Sequence, residues 1–282
     1  PVFCDHFQAW SCGGRNRNIY YTKKGTGSPI LLIHDTLPGA SGYEWSKIED
    51  ELAIDHTVYT VDLLGCGRSD KSSITYTNFV YVQMISDFIK KIIGQKTDVI
   101  ASGFSGSFVT MACHNEKELF NKIMLVNPPS LTQLKQMPNR KDRLLKAALE
   151  IPIFGTLVYH MIVSRDNINN LFIEKMYYNP FHVDNQMADA YYEAAHKGGY
   201  YTRFLYSSLA AKYININICH ALKALDNSIY IVEGETEPNG KAVTDDYCAS
   251  NPAIEVSVLK ETKHLPHVEA PEAFLEQVKI FF

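Results

Sequence analysis

The chain has 282 residues, of which 46% are hydrophobic, and this suits one large domain or a domain with an insertion. The formal net charge is −4 and no basic run occurs, so the sequence gives little support for nucleic-acid binding. It contains no stretch of eighteen consecutive apolar residues, and no membrane span is therefore predicted.

The cysteines do not form a ligand or redox pattern. There are six, spread along the chain without a C-x-x-C pair or a Cys/His cluster, so neither a metal site nor another cofactor is predicted. Cys66 and Cys113 lie in segments that we expect to be buried, which favours free thiols and a cytoplasmic location. The sequence begins at Pro1 and leaves open whether a signal or anchor precedes it.

Apolar strand patterns alternate with helical patterns along most of the chain. After a polar lead-in over residues 1–17, strands are predicted at 18–22, 30–34, 56–62, 99–101, 122–127, 228–232 and 255–259. Helices are predicted at 45–52 and 76–93, after the 99–101 strand as far as residue 114, and at 272–282. This alternation predicts right-handed βαβ units and a mostly parallel sheet flanked by helices.

The pattern changes between residues 131 and 225. This segment is mostly helical and rich in Leu, Ile, Tyr and Phe, and we interpret it as a helical cap inserted into a core formed by residues 1–130 and 226–282. Most cap tyrosines should pack between helices, and some should line a largely apolar pocket between core and cap. The expected partner is a small, uncharged or acyl-bearing substrate, and the oligomeric state stays open.

Residues 97–107 place a strand, a turn of small residues and a helix in succession, an arrangement typical of a nucleophile elbow. Small residues suit this turn because the strand and helix backbones nearly touch there. The frame from Gly103 to Ser107 fits G-x-S-x-G, with serine in place of the last glycine. The alternative is an ordinary Gly/Ser loop between a strand and a helix.

Several segments, in this order and spacing, together resemble the α/β-hydrolase superfamily, in particular capped, esterase-like bacterial serine hydrolases. They are the 30–34 strand with its Pro/Gly loop, the D-x-x-G-x-G-x-S segment at 62–69, Asn127-Pro128 before the cap, the G-x-x-D/E-like turn at 234–237, and the H-x-P-H-x-E-x-P segment at 264–271. The resemblance covers almost the whole chain outside the cap and implies the α/β-hydrolase fold.

The resemblance also implies roles for individual residues. Ser105 would be the nucleophile, His264 its base and Glu237 the acid that orients the base. The backbone N–H groups of Thr36 and Gly106 would form the oxyanion hole. Competing acids are Glu233, Glu235, Asp245 and Asp246, and His267 is expected to brace the histidine loop.

Three positions depart from the family pattern. Asp35 follows His34 where glycine is usual, and a carboxylate there would repel a developing oxyanion unless it pointed away. Lys263 stands before His264 where glycine is usual, and Ser107 replaces the last glycine of the elbow. Counting back from Asn127 by the family spacing also places Gly103, rather than Ser105, at the turn.

These departures leave three interpretations. The first is a serine hydrolase that cleaves a small, largely apolar ester or other acyl compound through an acyl-enzyme. The second is a degenerate hydrolase fold that binds a small molecule without covalent catalysis, as Gly103 and Asp35 would favour. The third is non-acyl chemistry, such as that of a lyase, in the same pocket. Haloalkane dehalogenase and epoxide hydrolase chemistry is disfavoured, because it needs a carboxylate at the elbow.

Overall fold

The computed structural model of the chain describes residues 4–12 and 15–282. Eight strands form one sheet in the order β1-β2-β4-β3-β5-β6-β7-β8. They are β1 Cys4–Cys12, β2 Arg15–Lys24, β3 Ser28–Ile33, β4 His56–Val61, β5 Thr97–Ser102, β6 Phe120–Val126, β7 Ile229–Gly234 and β8 Glu255–Leu259. The pairs β1–β2 and β2–β4 are antiparallel and all other pairs are parallel, which confirms the predicted fold class.

Helices cover both faces of the sheet and form the segment between β6 and β7. The α-helices are α1 Glu49–Leu52, α2 Asn78–Phe88, α3 Ser105–Asn115, α4 Leu131–Leu134, α5 Arg140–Glu150, α6 Pro152–Ile162, α7 Arg165–Leu171, α8 Asn185–His196, α9 Arg203–Ala210, α10 Cys219–Ala224, α11 Gly240–Ser250, α12 Pro266–Glu269 and α13 Pro271–Phe281. Short 3-10 turns lie at Gly42–Trp45, Lys117–Leu119, Pro180–His182 and Gly199–Thr202, and π-turns at Ile89–Ile93 and Phe172–Met176.

The amino-terminal region differs from the prediction of a polar lead-in. There β1 pairs with β2 from Cys4 to Cys12 and extends the sheet at its antiparallel edge. Trp10 is buried and donates a hydrogen bond from Nε1 to Oδ2 of Asp87 on α2, 3.0 Å away. The polar composition concealed this strand because one face of an edge strand can remain in water. Residues 1–3 and 13–14 of the predicted lead-in lie outside the described residues.

Two predicted helices are interrupted. The helix expected at 45–52 consists of the 3-10 turn Gly42–Trp45 and the short α1. The helix expected at 76–93 begins as α2 after Thr77, whose Oγ1 accepts a hydrogen bond from the N–H of Val80, and continues as a π-turn. It ends at Gly94, where the positive φ of 73° suits glycine.

The core lies on both faces of the parallel strands. Leu31 and Ile33 of β3 pack on one face with α2 and α3, whereas Ile30 and Leu32 pack on the other with Trp45 and α13. This double coverage explains the nearly continuous apolar runs of the parallel strands. The loops that follow these strands therefore gather at one edge of the sheet, where ligands bind in open α/β folds.

The segment that we predicted as the cap is helical, and residues 127–228, all of which are described, contain no strand. A cluster of buried cap side chains, including Phe172, Met176 and Tyr191, packs against Leu265 and Val268 after β8. The cap thus rests directly on the loop that carries His264. Among the described residues, no single helix is long and apolar enough to cross a membrane, and the only pair that meets this criterion jointly, α5 with α6, is bent by 96°.

Candidate active site

The sharp turn after β5 is centred on a glycine. Gly103 has a φ of +53° and is separated from the start of α3 only by Phe104, and its N–H donates to the carbonyl of Val126 at 2.9 Å. The sequence left open whether Ser105 or Gly103 occupies the turn, and the structure places Gly103 there. A left-handed φ between a strand and a helix is the strained geometry of a nucleophile elbow, and here the residue in that geometry has no side chain.

A carboxylate fills the space beside this glycine. Asp35, in the loop after β3, is 3% exposed, and its Oδ1 accepts hydrogen bonds from the N–H of Thr36 at 2.6 Å and of Phe104 at 2.8 Å. Phe104 follows the turn residue, so these two N–H groups are the pair that would form an oxyanion hole. The carboxylate points into this hole and does not turn away from it.

Of the two N–H groups predicted as oxyanion donors, only that of Thr36 faces the carboxylate of Asp35. Thr36 supplies one N–H, but the N–H of Gly106 donates to the carbonyl of Gly103 at 3.1 Å. Gly106 is occupied in this way because the turn lies at Gly103, which places Gly106 inside the first turn of α3. Phe104 was missed because the prediction followed the G-x-S-x-G frame around Ser105.

Ser105 does not stand at the turn, which corrects its predicted position as the nucleophile. It is the first residue of α3 and fully buried, and its hydroxyl donates to the carbonyl of His34 at 2.5 Å. Its other contact is the hydroxyl of Thr36 at 3.2 Å. Both contacts go to the loop after β3 rather than to His264, so Ser105 ties that loop to the start of α3.

The structure brings His264 and Glu237 together, as predicted, and places Asp35 opposite them. Nδ1 of His264 lies 3.2 Å from Oε1 of Glu237, and Nε2 lies 3.4 Å from Oδ2 of Asp35. Burial lowers the pKa of His264, but hydrogen bonds and charge from the two carboxylates outweigh this effect and raise the pKa from 6.5 to about 10. At neutral pH the imidazole is therefore a cation that donates to both carboxylates.

The other predicted acids are engaged elsewhere. Glu233 accepts a hydrogen bond from Oγ1 of Thr244 at 2.9 Å, and Glu235 accepts one from the N–H of Glu261 at 2.9 Å. Asp245 pairs with Lys241, and Asp246 is exposed. Burial raises the pKa of Glu233 more than its bond to Thr244 lowers it. The geometry thus selects Glu237 as the partner of His264.

Asn127, at the end of β6, holds the two loops that carry this pair. Its φ is +43°, and its Nδ2 donates to the carbonyls of Lys263 at 2.8 Å and His264 at 2.9 Å. Its Oδ1 accepts the N–H of Gly234, at the start of the Glu237 turn, at 3.0 Å. The sequence marked this residue only as the end of a strand, and its side-chain role had no motif of its own.

Glu44 is a second residue that the sequence analysis missed. It is fully buried, its Oε1 lies 3.2 Å from Nε2 of His267, and its Oε2 accepts from the N–H of Asp35 and the hydroxyl of Tyr191, both at 3.3 Å. Burial raises the pKa of Glu44, but its bond to His267 and the charge of that ring bring the net pKa below 4.5. Glu44 therefore joins the Asp35 loop, the cap and α12.

His267 was expected to brace the histidine loop. Its ring is fully buried and stacks on Trp45 with the ring centroids 4.2 Å apart. Together with its contact to Glu44, this stacking fixes α12 against the 3-10 turn Gly42–Trp45. The position therefore agrees with a bracing role, and the ring is remote from solvent.

A cavity of about 530 Å³ opens onto the Asp35 and His264 side chains. Its apolar walls include Leu37, Phe104, Leu171, Met176 and Val243, and its polar lining includes Glu237, Gln133 and Lys175. Among the described residues that line it, none is a tyrosine, so the predicted tyrosine lining is wrong for this cavity. Tyr177 and Tyr191 are instead buried in the packing of the cap.

The fold and this arrangement of loops agree with a comparison of the chain with protein families. The profile described as the alpha/beta hydrolase family matches residues 30–277. The chain belongs to this family. The match includes the Asp35 loop, the Gly103 turn and the His264 loop, so both Asp35 and Gly103 lie inside the region that matches the family.

Individual relatives match less of the chain. A 2-hydroxy-6-oxo-6-(2'-aminophenyl)hexa-2,4-dienoic acid hydrolase of Metapseudomonas resinovorans is 29% identical over 113 residues, 39% of this chain and 39% of the relative. A soluble epoxide hydrolase of Corynebacterium sp. (strain C12) is 25% identical over 122 residues, 43% of this chain and 41% of the relative. The chain thus spans about two fifths of the length of these curated relatives.

Solved structures match over the full length. The epoxide hydrolase CorEH without ligand has a TM-score of 0.80 at 16% identity, covering 100% of this chain and 99% of that chain. At this identity the similarity shows the shared fold alone. The reacting group of this chain must therefore be inferred from its own residues.

Proposed function

We propose that this family member is a hydrolase of a small, largely apolar compound, and that Asp35, His264 and Glu237 carry its chemistry. The observation that supports this most directly is the 3.4 Å approach of Oδ2 of Asp35 to Nε2 of His264 at the base of the cavity. A carboxylate thus stands where a serine hydrolase presents its hydroxyl to the imidazole. The mostly apolar wall of the cavity favours an uncharged substrate.

The predicted acyl-enzyme at Ser105 is not what this geometry favours. A serine needs a neutral imidazole within hydrogen-bonding reach to remove its proton. The hydroxyl of Ser105 is fully buried and bonded to the loop after β3, and the cationic His264 is bonded to two carboxylates. The oxyanion hole is also filled by Asp35, so a substrate carbonyl has no free donors there.

Epoxide hydrolase and dehalogenase chemistry needs a carboxylate at the elbow, and the folded chain has one beside the Gly103 turn although the sequence of the turn has none. No carboxylate belongs to the Gly103 turn, but Asp35 brings one beside it from the neighbouring loop. Since the relatives are named as hydrolases of a dienoic acid and of epoxides, a substrate panel should contain an epoxide as well as esters.

Non-covalent binding is a second candidate function, and one observation favours it. His264 is a cation held between two carboxylates, and these ionic contacts can serve to stabilise the fold without any role in a reaction. In this interpretation the cavity binds a small molecule and the pair of carboxylates fixes the histidine. This function corresponds to the degenerate hydrolase fold, binding a small molecule without covalent catalysis, that the sequence left open.

A kinetic and labelling experiment separates these possibilities. Hydrolysis of p-nitrophenyl acetate and styrene oxide would be measured for the wild type, D35N, H264Q and S105A, alongside labelling with a fluorophosphonate. We expect turnover that D35N and H264Q abolish and S105A retains, with no adduct at Ser105. An adduct at Ser105, together with activity that S105A alone abolishes, would overturn the proposal. Folded protein that binds substrate without turnover favours the binding function.

A further inference from the structure

The oxyanion hole of this protein is occupied by a side chain of the protein itself. Oδ1 of Asp35 takes both N–H donors, from Thr36 and Phe104, and Oδ2 is left toward His264 and the cavity. We propose that Asp35 is a nucleophile displaced from the elbow, whose Oδ2 attacks a saturated carbon of an epoxide and forms a covalent ester. The inference rests on the proposed hydrolase function and names its reacting atom and substrate class.

The carboxylate is held ready for such an attack. Two backbone donors at 2.6 and 2.8 Å fix Oδ1. With one oxygen fixed, the plane of the carboxylate is set and Oδ2 has little rotational freedom to lose. Asp35 is almost excluded from water yet lines the cavity, so a bound substrate would meet a poorly hydrated oxygen.

Gly103 makes room for this position. A Cβ built on Gly103 would lie 2.2 Å from Cγ of Asp35 and 2.3 and 2.4 Å from its two oxygens. No side chain at position 103 could coexist with Asp35 in this conformation. The absence of a side chain at position 103 therefore leaves the space that the carboxylate of Asp35 occupies.

The first chemical step is balanced by groups already present. A lone pair of Oδ2 forms a bond to the ring carbon, the ring C–O bond breaks, and its electron pair moves to the ring oxygen. That oxygen takes one proton, which His264 releases through water in the open cavity. Esterification removes the negative charge of Asp35, and the pKa of His264, which Asp35 helps to raise, falls accordingly.

The second step uses the same hydrogen bonds. The neutral His264, oriented by Glu237, takes a proton from a water molecule that attacks Cγ of the ester. Negative charge then develops on Oδ1, which already faces the N–H groups of Thr36 and Phe104. The intermediate collapses by breaking the bond from Cγ to Oδ2, and the released alkoxide takes the proton from His264. The water oxygen stays on Asp35, whose new carboxyl group passes its remaining proton to His264, so the carboxylate and the imidazolium are restored as the diol leaves.

Isotope labelling tests the oxygen transfer without any variant. In a single turnover of styrene oxide in H₂¹⁸O with enzyme in excess, the first diol should contain unlabelled oxygen. The peptide that contains Asp35 should gain ¹⁸O, as read by mass spectrometry. Label that appears in the first diol and not in the Asp35 peptide would overturn the inference, because water would then have attacked the substrate directly.

Trapping tests the covalent intermediate. In H264Q the second step should stop, so a styrene oxide adduct should accumulate on Asp35, whereas D35N should form none. D35N keeps an oxygen acceptor for Thr36 and Phe104 and should lower kcat by more than about 1,000-fold. The matched control E235Q makes the same kind of change and should accumulate diol like the wild type, since Glu235 accepts a hydrogen bond from the N–H of Glu261 and is not among the residues that line the cavity.

Failure of this inference is distinguishable from failure of the proposed function. Turnover of p-nitrophenyl acetate that depends on Asp35, without any reaction of styrene oxide or adduct, would leave a hydrolase and refute the epoxide-directed nucleophile. Styrene oxide turnover that survives in D35N would refute the role of Asp35 outright. Absence of turnover of every substrate would count against both proposals.

Discussion

The carboxylate of Asp35 and the α-carbon of Gly103 exclude any side chain between them. A Cβ at position 103 would lie 2.2 Å from Cγ of Asp35, far inside van der Waals contact. A serine at the turn and an aspartate after β3 are consequently alternatives within this fold.

This exclusion predicts that two substitutions compensate each other. G103S alone should destabilise the protein by about 1–3 kcal/mol through its left-handed φ, and by more through contact with Asp35. In D35G/G103S the contact is relieved, the N–H groups of Thr36 and Phe104 become free, and the new hydroxyl faces His264. The double variant should gain p-nitrophenyl acetate hydrolysis and a fluorophosphonate adduct at position 103.

The two single variants are the controls for this cycle. Urea denaturation of all four proteins gives the coupling free energy between positions 35 and 103, which should favour the double variant. If G103S were as stable as the wild type, the close approach of the two residues would be disproved.

A second prediction concerns the charge of His264. D35N removes one of the two carboxylates that hold its pKa at about 10, so the pKa should fall. The measurement is a pH titration of the imidazole by NMR, with the H264Q spectrum used for assignment. E235Q is the matched control, because Glu235 lies on the same turn as Glu237 but bonds to the N–H of Glu261. An unchanged titration in D35N would contradict the ion pair.

A third prediction is loss of stability at alkaline pH. His264 has a raised pKa, so its contribution is fully present below the unfolded value of 6.5 and is lost as the pH rises through about 10. Because one proton is lost on unfolding, the free energy of unfolding falls by at most about 1.4 kcal/mol per pH unit in this interval. The free energy of unfolding from urea titrations should therefore fall more steeply in this interval for the wild type than for H264Q. The same pH dependence of the unfolding free energy in both proteins would contradict the raised pKa of His264.

The sequence predicted the fold well because each strand and helix has its own local pattern of apolar residues. The apolar run over 30–34 and the alternation of strands and helices follow from burial on both faces of the sheet. The positions of His264 and Glu237 were predicted for the same reason, since each lies at a fixed place after a parallel strand. The edge strand β1 was missed because its polar face carries no continuous apolar run.

The close approach of Asp35 to Gly103 joins positions 68 residues apart, and no local pattern in the sequence predicts it. Ser105 satisfied a short motif, whereas the spacing from Asn127 favoured Gly103, and no local rule decides between them. Asp35 was identified as a departure, but the direction of its side chain is set by the N–H of Phe104 in another loop. Glu44 has no motif, because its partners come from the cap, the loop after β3 and α12.

A fourth prediction concerns Glu44. E44Q breaks a fully buried pair with His267, and removal of one partner of such a pair costs about 3–5 kcal/mol of stability. Because the pKa of Glu44 is lowered, the stabilisation is present above 4.5 and is lost as the pH falls through the folded value. The unfolding free energy of E44Q should therefore be lower at neutral pH and should depend less on acid than that of the wild type.

The control for this variant is an exposed acid. Glu51 pairs with Lys279 at 3.3 Å on the surface, so E51Q should change stability by less than about 1 kcal/mol. Equal effects of E44Q and E51Q in urea titrations would mean that burial of Glu44 does not matter. A further readout is the cap, since Tyr191 donates to Glu44 and protease cleavage of the cap should become faster in E44Q.

Asn127 fixes the loops of His264 and Glu237 by its own amide, which bonds to Lys263, His264 and Gly234. None of these three bonds involves the Asp35 loop, so they position His264 and Glu237 independently of that loop. During divergence, different chain positions could supply the group that faces the imidazole while the imidazole and its acid stayed in register. Under the proposed function, the nucleophile has moved to a different loop while the imidazole and its acid are kept.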